Sequence, residues 1–140
     1  MVGKENSIEV GAEIPSLEKS ISQDKIHQFA EFSGDFNPIH VNEEFAKKVG
    51  LGGTIAHGAI SLGYFCKMLV NYFGEDWLEN GGLSVSFIAP ARPGYKISYR
   101  GLITGERETE KGKVVELKIW CENQNGIKCI VGKAYGPKKL

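Results

Sequence analysis

A chain of 140 residues with 41% hydrophobic and 24% charged side chains has the length and balance of one domain around one core. Its 17 basic side chains are cancelled by 17 acidic ones and no long basic run occurs, which excludes the electrostatic footprint of a nucleic-acid binder. The short Lys138-Lys139 pair reads as a solvated end rather than a binding patch.

Residues 7–22 read as a short strand or extended lead-in, broken at Pro15. Ser22 is placed to cap a helix over residues 23–32, whose Ile26, Phe29 and Ala30 share one face. Residues 33–42 should then bend rather than wind, because Pro38 lacks an N–H and disfavours helical geometry at Asn37. Asn42 caps a second helix over residues 43–49, with an acidic first turn and Lys47-Lys48 in its last turn, as the helix dipole favours. Gly50 stops it. After the flexible joint Gly52-Gly53-Thr54 comes a long helix over residues 56–73, ended by Gly74. Ala59, Ile60, Leu62, Phe65, Met68, Leu69, Val70 and Phe73 make it apolar on nearly every side, so it should be covered by other elements.

Past residue 80 the pattern changes to strands. They are expected over residues 83–89, over 96–104 after the Pro93-Gly94 turn, over 114–122, and over 127–135 after the Asn125-Gly126 hairpin signal. Val115, Leu117, Ile119 and Cys121 fall on one face of the third. This order predicts an α+β domain spanning residues 1–140, an antiparallel sheet with a buried helix across one face.

Three cysteines, Cys66, Cys121 and Cys129, show no C-x-x-C spacing, which speaks against a disulfide framework or zinc knuckle and for a reducing compartment. Residues 1–6 hold no apolar leader, and the apolar stretch 59–73 contains Ser61, Lys67 and Asn71 and is short for a bilayer. A cytoplasmic protein without a membrane partner is the expectation. His27, His40 and His57 lack a ligand spacing with nearby cysteines or carboxylates, so no metal is expected.

The chemistry-bearing segment is Ser-Gly-Asp-Phe-Asn-Pro-Ile-His-Val-Asn, residues 33–42. It sets a carboxylate, Asp35, and an imidazole, His40, five residues apart across a bend. His57-Gly58 follows seventeen residues after His40 and opens the long helix. A carboxylate and an imidazole beside a helix N-terminus suit proton transfer next to a polarised carbonyl. The bland alternative is that Asp35 and His40 only pin the loop through local hydrogen bonds.

Phe32 to His40 resembles the hydratase motif of the MaoC-like family, the (R)-specific enoyl-CoA hydratases and related dehydratases with the hot-dog fold. Ile55-Ala56-His57-Gly58 is similar to the start of that family's central helix, and Phe87 to Gly94 to the strand and turn after it. The resemblance runs from about Ser22 to Tyr135. It implies a long helix wrapped by a curved antiparallel sheet, and a homodimer with sheets joined edge to edge and active sites near the subunit boundary. It also implies syn hydration of a trans-2-enoyl thioester to the (R)-3-hydroxyacyl product, with coenzyme A entering as part of the substrate and no separate cofactor. An acyl-carrier-protein thioester is the alternative carrier.

On that basis Asp35 is expected as the leading general base, with His40 orienting the attacking water and sharing the proton work. Gly58 is the candidate oxyanion donor through its free helix-terminal amide, or else a glycine for tight packing. Asn37 either bonds near the pair or organises the turn, and His57 either lines the pocket or supports the helix start. Arg92 and Lys96 are weaker candidates for the phosphates of coenzyme A. Two positions depart from the family pattern: Tyr95 stands where an acidic residue is common, and Cys66 where some members place a serine facing the pair. Cys66 and Met68 read as core. Thioester hydrolysis on the same fold, and a non-catalytic acyl-binding module, are the competing functions.

Overall fold

Ser22 caps the first helix as expected, its hydroxyl oxygen accepting from the Lys25 amide at 3.1 Å. In the computed structural model, which describes residues 9–138, this helix is α1, Gln23–Ser33. Before it lies a single short strand, β1, Leu17–Ser20, with Pro15 ahead of it. Residues 1–8 of the predicted lead-in, and Lys139 of the basic pair, fall outside the described span. Lys138 is no free cation, since its ammonium lies 3.1 Å from a Glu106 carboxylate oxygen.

The expectation that residues 33–42 bend without winding needs correction. Residues 34–37 do bend, but Pro38–Val41 form one helical turn, α2, that carries His40. Proline blocks a helix that runs into it, whereas at the first helical position its missing N–H is no loss. Asn37 caps this turn, its side-chain oxygen accepting from the Ile39 amide at 3.2 Å. Asn42 then caps α3, Glu43–Lys48, through the Phe45 amide at 3.0 Å.

The long helix α4 spans Gly58–Phe73, two residues shorter at its start than predicted. Ser61, Phe65, Met68, Leu69 and Phe73 face inward and are buried. Ala59, Gly63 and Lys67 are exposed, and Leu62 and Cys66 only half-buried. The expectation of cover on all sides is therefore not met within one chain, because a single sheet shields a single face. A further turn of helix, α5, Trp77–Asn80, was not anticipated; its Trp77 indole donates to the Tyr135 carbonyl at 2.9 Å.

The remaining strands are β2 (Gly82–Phe87), β3 (Lys96–Thr109), β4 (Gly112–Glu122) and β5 (Lys128–Pro137), and with β1 they form one antiparallel sheet in the order β1-β3-β4-β5-β2. β3 runs past the predicted end at Thr104, with a register shift between Ile103 and Gly105, and meets β4 in a tight hairpin at Thr109 and Gly112. The predicted first strand loses Ile88 and Ala89, whose amides both turn to the Cys129 carbonyl, at 2.9 and 3.2 Å. Val115, Leu117, Ile119 and Cys121 are all buried, as their alternation predicts. They pack with Phe65, Met68 and Leu69 of α4 and with Ile97 and Tyr99 of β3. Each such side chain contributes about 1.5–3 kcal/mol on burial, so this contact between helix and sheet is the main source of stability. Among the described residues no helix is long and apolar enough to cross a membrane.

Candidate active site

The α1 helix stops because Gly34 takes a left-handed conformation, φ +81°, and returns its amide to the Ala30 carbonyl at 2.8 Å. That turn swings Asp35 across the start of α4. Short local bonds then set the loop: the Ser33 hydroxyl accepts from the Asp35 amide at 3.2 Å, and Asp35 Oδ1 from the Asn37 amide at 3.2 Å. Asp35 Oδ2 stays free, on a side chain that is 53% exposed.

His40 is buried at 8% exposure, and its Nδ1 lies 2.7 Å from the Ile55 carbonyl. A carbonyl only accepts, so Nδ1 carries a hydrogen, and in the neutral form of the ring the lone pair is at Nε2. That Nε2 stands 4.0 Å from Asp35 Oδ2. The gap is too wide for a direct hydrogen bond. Two acceptors at this spacing suit a single water donating one hydrogen to each.

His57 supports both partners. It is 3% exposed, and its Nε2 donates to the Asp35 carbonyl at 2.9 Å. Its ring stacks on His40 with centroids 3.9 Å apart and packs at a tilt against Phe29 at 4.9 Å. Asp35, His40 and His57 thus lie closer than their sequence spacing suggests, with one potential ligand atom of each within 4.8 Å of the others. Two stacked rings cannot both aim in-plane lone pairs at one ion without unstacking, so the arrangement suits protons and water better than a shared metal.

Beside His40 opens a cavity of about 410 Å³, lined by His40, His57, Gly58, Cys129 and Ile130 together with the exposed Phe87 and Ile88; Asp35, the expected base, is not among its lining residues. Gly58 is the first residue of α4, where backbone amides have no partner within the helix. It also meets the packing alternative, since a Cβ there would stand 2.5 Å from the Phe87 ring. Asn37 does not line the cavity. Its side-chain oxygen is committed to capping α2, so of its two predicted roles the turn-organising one is met. Cys66, Arg92 and Lys96 are also absent from the lining. Arg92 instead donates to the Gly53 carbonyl at 3.4 Å, and burial raises the pKa of the Cys66 thiol.

Sequence reasoning missed the residues that hold His40 from behind. Gln23 Nε2 donates to the His40 carbonyl at 2.8 Å, and Thr54 donates to Gln23 Oε1 at 2.6 Å. The Ile55 amide donates to the Ile39 carbonyl at 3.1 Å. These bonds join α1, α2 and the 49–57 segment across 15 or more residues of sequence, so no local pattern announces them. The polar character of Thr54 beside two glycines was the available hint.

Residues 6–124 match the family described as MaoC like domain. The chain is 36% identical over 90 residues to an (R)-specific enoyl-CoA hydratase of Rhodospirillum rubrum, a match covering 64% of this chain and 62% of that one. It is 38% identical over 78 residues to a 3-hydroxybutyryl-CoA dehydratase of Methylorubrum extorquens, covering 56% of this chain and 50% of the relative. The chain therefore spans between half and two thirds of the length of these curated relatives. Among solved structures, an (R)-hydratase from A. caviae superposes with a TM-score of 0.74 at 26% identity, covering 92% of this chain and 96% of that one. That overlap extends through the curled sheet and its central helix, the hot-dog arrangement. With the Asp35–His40 segment, the His57-Gly58 helix start and strands β1 to β4 inside the matched span, the chain belongs to the MaoC-like domain family.

Proposed function

We propose that this protein is an (R)-specific trans-2-enoyl thioester hydratase, adding water reversibly to give an (R)-3-hydroxyacyl product. The observation that carries the reading is the 4.0 Å approach of Asp35 Oδ2 to His40 Nε2, with His40 lining a largely apolar cavity. A water held between them donates to both and keeps its own lone pair for C3 of the enoyl group. Asp35 is the leading base and His40 orients the water. As the hydroxyl bonds to C3, the double-bond electrons move toward the thioester oxygen, and C2 then takes a proton on the same face from this pair. The Gly58 amide, at the positive end of α4, stabilises the developing oxyanion. So written, the reaction uses no metal or redox cofactor, and coenzyme A enters with the substrate. The names borne by the relatives from R. rubrum and M. extorquens favour that carrier.

A homodimer is part of the same proposal. The sheet edge at β2 is unpaired among the described residues, and Phe87 and Ile88 at its end are more than half exposed. Incubation with crotonyl-CoA tests the activity: ultraviolet loss of the enoyl chromophore without free thiol is the expected result. Release of thiol would instead mark a hydrolase, and saturable binding without turnover a binding module. Chiral analysis of the product checks the (R) configuration.

A further inference from the structure

The lining of the cavity is not wholly apolar. Ser61 lines it, and the Ser61 hydroxyl oxygen lies 2.9 Å from that of Tyr99, which is fully buried behind it. Two hydroxyls carry two hydrogens, and their mutual bond uses one. No other hydrogen bond engages either oxygen among the described residues. If Ser61 donated, the phenol hydrogen would be stranded in the core, at the cost of an unmade hydrogen bond. The phenol therefore donates to Ser61, and the serine keeps its own hydrogen for the cavity. Burial raises the Tyr99 pKa well above the usual phenol range, so it remains a donor.

Position adds a length scale. Ser61 follows Gly58 by three residues on the same helix, about 4.5 Å along the axis, and both line the cavity. An acyl chain whose thioester oxygen meets the Gly58 amide and which runs along α4 brings its fifth atom to Ser61. Ala56, Cys129 and Ile130 also line the cavity and no lysine or arginine does, so an anionic group there would find no cationic side chain of either kind.

We propose that Ser61, oriented by Tyr99, is a specificity-determining residue that selects short enoyl thioesters bearing a neutral oxygen acceptor near the fifth chain atom, an ether or ketone rather than plain hydrocarbon. This rests on the hydratase reading above.

The test compares kcat/KM for trans-2-hexenoyl-CoA and for 4-methoxy-trans-2-butenoyl-CoA, which replaces the fifth carbon by oxygen at nearly equal length. The electronic effect of that oxygen is the same for every variant, so the ratio of the two substrates, followed across variants, isolates the contact. In Ser61→Ala the ratio in favour of the ether is expected to fall about tenfold. In Tyr99→Phe the ratio should fall by less than in Ser61→Ala, because the serine that donates to the substrate remains and only its orientation is lost. Ser61→Cys, a weaker donor, should fall between wild type and Ser61→Ala and provides the measurement if alanine disturbs folding. An unchanged ratio in Ser61→Ala overturns the proposal, and so does an equal loss in Tyr99→Phe. Failure of the wild type to hydrate either thioester overturns the hydratase reading itself, a result distinct from hydration without discrimination.

Discussion

Between Ser33 and Asn42 the chain is held by side chains bonding to backbone, whereas from Lys96 to Pro137 it is held by strand ladders and an apolar interior. The first region is exposed at seven of its ten positions, Asp35 among them, and buries His40. The second buries Tyr99, Leu117, Ile119 and Cys121 to 1% exposure or less and touches the cavity only at Cys129 and Ile130. Position in the first depends on a few directional bonds, each worth about 0.5–1.5 kcal/mol, and in the second on area removed from water. Changes in the corner should therefore reach activity with little effect on stability, and changes in the body the reverse.

Asp35→Asn and, separately, His40→Gln test the corner most severely. Each should lower hydratase turnover by about 10²–10⁴ while the thermal midpoint stays close to wild type. Near-normal turnover in either would remove the assigned pair. Phe65→Ala tests the body: removing a ring buried between α4 and the sheet should cost about 3–5 kcal/mol in urea unfolding. In whatever fraction remains folded, KM for crotonyl-CoA should change little.

His57→Phe addresses the join between the two regions. The ring stack on His40 is retained while the bond to the Asp35 carbonyl is lost, so kcat should fall about tenfold with KM nearly unchanged. Equal loss in kcat and stability would recast His57 as a structural residue alone.

The smallest effect is on the alkaline side. Burial pushes the Cys121 thiol from its ordinary 9.0 up to about 12. The folded state then holds a proton that the unfolded chain releases above pH 9.0, so stability is complete below that pH and declines as pH rises toward 12. Thermal midpoints measured across this range should drop, and less steeply in Cys121→Ala. An identical slope in that variant would point to other buried groups such as Tyr99.

Most elements were legible because they rest on local signals. Ser22, Asn42, Gly50 and Gly74 mark helix ends by capping chemistry within four residues, and the alternation from Val115 to Cys121 shows which face of β4 is buried. The turn at Pro38 was misread because proline forbids the helix before it while favouring the one after, and the local pattern weighed only the first effect. The exposed far side of α4 was misread because hydrophobicity records what can be covered, not what one sheet has room to cover.

By itself, the sequence determined the kinds of the main elements and which functional groups the candidate site has on offer, since backbone preference and side-chain chemistry are properties of a few neighbouring residues. Only the tertiary structure decided that His57 stacks on His40, that Ile55 dictates which nitrogen of that ring is free, that Gln23 and Thr54 brace it, and that Ser61 meets Tyr99. Those are contacts between residues 15 to 38 apart in the chain, and directional bonds of that reach exist only after the packing of helix on sheet has brought their partners together.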